Sequence, residues 1–257
     1  MNKVFNLKTY EEILINARNN GYKFNSFNNL DNNNNPKNEI LLRHDIDVCP
    51  KAAYIMSKIE NRNNIKATYF FMIRSPLYNL FSRSTNYYIK QIINLGHDIG
   101  LHFDAGFYKK EGYEDVLSNQ IIHQKDIIEN EFNIKIKSVS FHQPNKIILE
   151  SQFKFPKSLI NTYSNSLSKK YKYFSDTNQE IRWLQNREIS IKDSLSSRYP
   201  ESIQLLVHPI WWIYGESTPE ETWSNALKNI FIQSQEQLVE CERVFGKARV
   251  IKVIQEK

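Results

Sequence analysis

Only two cysteines, Cys49 and Cys241, occur among 257 residues, and they lie far apart in the chain. That excludes a disulfide framework and a zinc ribbon built on thiolates. Runs of five or more basic residues are missing, and the formal net charge of +6 is scattered rather than gathered in one arm. No nucleic-acid partner is indicated by such a distribution. Long apolar runs are absent too. Nothing approaches the roughly 20 consecutive apolar residues of a membrane span. The opening residues, Met1 to Glu12, hold no apolar signal core and turn acidic early, so the expected location is cytoplasmic.

What is there is an alternation. With 40% apolar residues the chain can fill one large core, and its length suits an α/β barrel used as a single domain over 1–257. Thr9 and Glu12 form a capping box, so Tyr10–Asn20 is read as a helix stopped at Gly21. Residues 25–38 are Asn-rich and read as a surface loop, which makes 1–38 an N-terminal extension. Strands are then expected at Glu39–Arg43, Ile65–Ile73, Asp98–His102, Ser138–Phe141, Tyr171–Ser175 and Ile203–Val207, with a last one at Val250–Ile254. Helices are expected at Lys51–Glu60, Asn86–Leu95 and Tyr113–Glu131, where Val116, Ile121, Ile127 and Ile128 lie on or near one face. Thr218 with Pro219 and Glu221 opens a last long helix, while the stretch 146–170 is ambiguous. Strands and helices at this spacing imply a parallel sheet or barrel.

Five of the six histidines fall in four polar clusters where the apolar runs end: Arg43-His44-Asp45-Ile46-Asp47, Gly96 to His102, Phe141-His142-Gln143-Pro144, and Leu205-Leu206-Val207-His208. In parallel α/β folds, functional groups collect beyond the carboxyl ends of the strands. Asp45 and Asp47 are two apart, so in an extended segment they face the same cavity. Two close carboxylates raise each other's pKa unless a cation sits between them. A metal lets one ligate while the other stays free as a base. His102, followed by Phe103-Asp104, offers an imidazole and a carboxylate at a strand end. One such histidine is a hydrogen-bonded core residue as readily as a ligand. His102, His142 and His208 together with the aspartate pair point to a His/Asp metal site with acid–base helpers. Such donors suit Zn, Fe, Mn, Co or Ni. His44 and His97 read as structural, and His123 as a surface residue. Asp176 is a further strand-end acid, able to orient a histidine or to cap a turn. Trp211 and Trp212, after His208, either stack on a sugar ring or join the core. Arg43 either pairs with Asp45 or binds an anionic substrate group.

The order Asp-Ile-Asp, Gly-His-Asp-Ile-Gly-Leu-His, Phe-His-Gln-Pro and Leu-Leu-Val-His, spread over 39–212, resembles the polysaccharide deacetylase family of carbohydrate esterases. The Leu-Leu-Arg-His-Asp-Ile-Asp opening and the His-Pro-Ile-Trp-Trp segment resemble a branch found in surface-glycan biosynthesis. The resemblance implies a distorted (β/α) barrel of about seven parallel strands and one divalent metal ion, zinc first among the candidates. It makes Asp45 the general base, Asp47 the metal-binding aspartate, His102 the first metal histidine and His208 the general acid. Asp176, ahead of Trp183, then matches the acid that tunes His208. There is a departure: the position four residues after His102, where the family carries its second metal histidine, is Gly106, and the Arg of the third motif is replaced by His142. On that resemblance His142 is expected as the missing ligand, with Asp104 competing for that place or touching substrate. The implied activity is removal of an N-acyl group, acetyl foremost, from a small or nucleotide-linked amino sugar, with a sugar N-deformylase on the same fold as the alternative. The rival is a carbohydrate-binding protein that has lost a ligand and its activity.

Overall fold

A computed structural model describes residues 4–30, 36–108, 113–150, 153–181, 184–185, 188–189 and 202–241. The expected strand at Val250–Ile254 and the tryptophan Trp183 lie outside them. In chain order the elements are α1 (Leu7–Asn19), β1 (Lys23–Asn25), β2 (Glu39–Ile46), α2 (Pro50–Arg62), β3 (Thr68–Phe71), α3 (Arg83–Asn94), β4 (Asp98–Phe103), α4 (Tyr113–Phe132) and β5 (Ser138–Phe141). Then follow α5 (Lys146–Leu149), β6 (Ile160–Asn161), α6 (Asn165–Ser168), β7 (Lys172–Ser175), β8 (Leu184–Gln185), β9 (Glu188–Ile189), β10 (Ile203–Val207), α7 (Pro209–Tyr214) and α8 (Pro219–Cys241). Eight strands form one parallel sheet in the order β6-β5-β4-β3-β2-β10-β7, with β1 added beside the first half of β2. This is the distorted (β/α) barrel, left open between β6 and β7 among the described residues.

Strand β2 is the axis of the design. Every residue from Ile40 to Ile46 is buried, as expected for a central parallel strand covered on both faces. Its side chains alternate between two environments. Ile40, Leu42 and Ile46 join the large core shared with the outer helices, whereas Leu41 packs inside the sheet's curve with Phe27, Phe70, Leu167 and Tyr171. Arg43 and Asp45 share the inner face with Leu41, and His44 faces outward. Inside, Gly100 is required by contact: a Cβ there would sit 2.3 Å from the Phe70 ring.

The outward His44 is held in a buried polar knot under α1 and α2. The Glu60 carboxylate accepts from Tyr10 at 2.5 Å and Tyr69 at 2.6 Å, and lies 2.6 Å from His44 Nε2. His97 binds the backbone on both ring nitrogens, at Ser57 O and Ala67 N, and so is structural, as read from the sequence. Removing one partner of a buried ionic knot strands the others. Glu60→Ala is therefore expected to destabilise the fold by about 3–5 kcal/mol. Urea unfolding checks this, and a loss below about 1 kcal/mol would contradict it.

Three local readings need correction. Helix α1 is capped by Asn6, whose side chain accepts from Thr9 N at 2.9 Å, so Thr9 is inside the first turn rather than its cap. Asparagine caps at least as well as threonine, and the earlier one prevails. The Asn-rich stretch is not all surface loop. Its Phe27 is fully buried, edge-on to Phe70 at 5.7 Å, and plugs the inner face of the sheet. On α4 the buried stripe runs through Leu117, Ile121 and Ile128, while Val116 is 39% exposed.

Candidate active site

Register brings the four polar clusters together. β10 lies beside β2 with Val207 opposite His44, which places His208 next to Asp45. β7 lies beyond it, with Ser175 opposite Leu206, so Asp176 follows in line with Val207. On the other flank β2 pairs with β3, β3 with β4 and β4 with β5, where His102 stands opposite Ser140. His142 is fixed one step past β5 by its N–H to Phe103 O at 3.0 Å. The next residue, Gln143, has a left-handed φ of 44° immediately before Pro144. A bulky residue in that region marks backbone held by its surroundings, here beside a polar centre.

A cavity of about 540 Å³ opens over these strand ends, and Asp45, Asp47, His102, His142 and His208 all line it. Asp47 is the hub. Its Oδ1 lies 2.9 Å from His102 Nε2 and 3.2 Å from His142 Nδ1, and its Oδ2 lies 3.8 Å from His208 Nε2. Burial alone raises the Asp47 carboxyl, but the hydrogen bonds from His102 and His142 and the charges of His102 and His208 outweigh it. The carboxyl is held well below the usual carboxylate range.

The ligand atoms of Asp47, His102 and His142 lie within 4.8 Å of one another. One carboxylate and two imidazoles facing an open cavity fit a divalent cation of the catalytic kind, which keeps a position free for substrate. Asp104, the competing candidate, stands apart. It caps the turn after β4, with Oδ1 accepting from Gly106 N at 2.9 Å.

Asp45 is held differently. Arg43 grips it with Nε at 3.2 Å and Nη2 at 2.9 Å, and the Ser140 hydroxyl donates to its Oδ1 at 3.1 Å. A carboxylate has about four acceptor positions. Among the described residues three are taken, and the one left is on Oδ2. Burial raises this carboxyl, while the Arg43 charge, then His102, then the Arg43 hydrogen bonds lower it further, so it stays ionised. Of the two roles open to Arg43, the structure shows the pairing. The guanidinium is buried behind the site, also donating to Tyr163 OH at 2.7 Å, and does not line the cavity.

His208 is bound to Asp176 through Nδ1 at 2.6 Å, and both carboxylate oxygens accept from the His208 backbone N–H, at 3.1 and 3.0 Å. The Trp212 indole donates to the same carboxylate at 2.8 Å. Trp212 is therefore a support of Asp176, buried in the core, and does not line the cavity. Trp211 does line the cavity, with Trp223 of α8 edge-on to it at 6.2 Å. Burial works against the His208 imidazolium, but the Asp176 charge and hydrogen bond, with Asp47 and Asp45 behind them, push its pKa up to about 9.

The raised value means the charged form belongs to the folded site. Its contribution is complete below the ordinary histidine value near 6.5 and is lost as pH rises through about 9. Asp176 supplies the part of this push that persists when Asp47 is engaged with a cation. Asp176→Asn is expected to move the alkaline limb of the activity profile from about 9 toward roughly 6.5. That is a ~30-fold loss at pH 8 with little change at pH 6. An unmoved limb would show that His208 does not set it.

Ser140, Tyr163 and Trp223 escaped the sequence reading. Ser140 shares a strand face with His142 two residues on, which is a usable signal. Tyr163 follows β6, in the stretch that the sequence leaves ambiguous, and Trp223 sits on α8, outside any strand-end pattern.

No family model and no curated protein matches the chain. Solved structures similar to it include the deacetylase PplD of Streptococcus pyogenes in complex with acetate, at 16% identity over 88% of this chain and 89% of that one, TM-score 0.43. A mutant of the Bacillus subtilis peptidoglycan deacetylase PdaC is 13% identical over 84% of this chain and all of that one, TM-score 0.39. A family CE4 pseudoenzyme from Bacillus anthracis is 15% identical over 78% of this chain and 63% of that one, TM-score 0.38. Among the described residues no helix is long and apolar enough to cross a membrane.

Proposed function

We propose that the chain is a metal-dependent amide hydrolase that removes an N-acyl group, acetyl foremost, from an amino sugar. A small or nucleotide-linked sugar destined for a surface polysaccharide is the substrate class the motif resemblance favours. The observation that carries the reading is the convergence of Asp47, His102 and His142 within 4.8 Å, in a cavity that Asp45 and His208 also line.

Asp47, His102 and His142 are the residues to hold the cation, for which zinc is the first candidate and Fe, Mn, Co or Ni also suit the donors. Bound there, a divalent ion polarises the acyl oxygen and makes a nearby water more acidic. Asp45, with one acceptor position left, takes a proton from the attacking water. Its ionisation is secured by Arg43 rather than by solvent. His208 presents Nε2 to the cavity because Asp176 holds Nδ1, and it arrives protonated at neutral pH. It gives that proton to the departing amine as the carbon–nitrogen bond breaks. Trp211 and Trp223 offer an apolar wall on which a sugar ring can rest. The products are a free amino sugar and a short carboxylate.

Mass spectrometry of N-acetylated and N-formylated sugars, free and nucleotide-linked, after incubation with zinc-loaded protein tests the reading. Loss of one acyl mass from a member of the panel supports it. A preparation carrying about one ion per chain that leaves every member intact would sink it.

A further inference from the structure

We infer that Ser140 is a positioning residue: its hydroxyl fixes the tautomer of His102 and ties that ring to Asp45. The inference rests on the reading above that Asp47 and His102 take a cation. Because β4 and β5 pair in parallel, His102 and Ser140 stand opposite each other. The Ser140 side chain is fully buried. Its oxygen lies 2.5 Å from His102 Nδ1 and 3.1 Å from Asp45 Oδ1.

A hydroxyl has one proton to give and lone pairs to accept with. Asp45 is an ionised carboxylate and can only accept, so the hydroxyl proton goes to Oδ1. The oxygen must then accept from its other neighbour, and among the described residues that neighbour is Nδ1–H of His102. A neutral imidazole with its proton on Nδ1 carries its free lone pair on Nε2. Nε2 is the atom that faces Asp47, at 2.9 Å; with a cation between them it would give up the proton it donates there, while Nδ1 keeps its own on the serine. The serine thus aims the ring's donor electrons at the cation position. Among the described residues no second group replaces it: the nearest carboxylate oxygen to Nδ1, Asp45 Oδ2, is 3.7 Å away, beyond hydrogen-bond range.

The same hydroxyl completes a buried chain from Arg43 through Asp45 and Ser140 to His102. The proton acceptor and a ligand are thereby held in one register. Partners that orient a ligating histidine from behind typically change metal affinity 10–100-fold when removed.

The test uses the full chain and zinc, with affinity measured by competition against a chromophoric chelator. Ser140→Ala is expected to bind zinc about 10–100-fold more weakly, and Ser140→Thr, which keeps the hydroxyl, to lie nearer the wild type. Nitrogen NMR of the imidazoles in the zinc-loaded wild type is expected to show a slowly exchanging proton on Nδ1 of His102. In Ser140→Ala that proton is expected to exchange fast. Unchanged zinc affinity in a folded Ser140→Ala protein would overturn the inference, as would a wild-type His102 ring that carries its proton on Nε2. The second outcome decides even where the alanine variant does not fold. A wild type that binds no zinc would count against the hydrolase reading itself.

Discussion

Replacing His208 with glutamine is expected to lower turnover by about 10²–10⁴-fold, the usual contribution of a positioned acid, while the protein stays folded. Glutamine can still donate to the Asp176 carboxylate, which also keeps the His208 backbone N–H position and the Trp212 indole as donors. It has no proton to release at the cavity. The loss falls on kcat, because His208 acts on the leaving amine and not on the resting sugar. A substrate analogue with a better leaving group should recover part of the loss. A variant with full activity would show that the amine finds its proton elsewhere, and the role given to His208 would fall.

Asp45→Asn is expected to do two things at once. Turnover should drop by about 10²–10⁴-fold, since the remaining acceptor on Oδ2 is the base. Stability should drop as well. Arg43 is fully buried, and Asp45 is its charged partner at 2.9 Å. Taking away one side of such a pair costs about 3–5 kcal/mol. A purely catalytic aspartate would show only the first effect. The two are separable, because Arg43→Met added to Asp45→Asn removes the stranded charge. That double variant is expected to regain much of the stability and none of the activity. Urea midpoints and initial rates on the single and double variants check both halves. Activity returning with stability would mean that Asp45 acts on the fold and not on the reaction.

These expectations could be framed from the sequence only in part. Strand-end placement was legible because a parallel strand is a continuous apolar run, and Asp45, Asp47, His102, His142 and His208 each stand where such a run stops. Their convergence depends on strand order, which the sequence does not display. The chain's late strand β10 inserts beside β2, and that alone puts His208 next to Asp45. The partition of Trp211 to the cavity and Trp212 to the core is a matter of helix phase over six residues of α7, too short to show a period. Arg43 and Asp45 share a face by simple alternation, so their pairing was within reach. Phe27 was hidden by composition. One aromatic among asparagines looks like a loop, yet it seals the inner face of the sheet.

The central claim is a divalent cation held by Asp47, His102 and His142. The most direct measurement is the metal content of the full chain after zinc loading and desalting, for wild type and Asp47→Ala side by side. The expected result is about one ion per chain in the wild type and almost none in Asp47→Ala, with both proteins folded. A wild type that retains no metal, or an Asp47→Ala protein that retains as much as the wild type, would contradict the account.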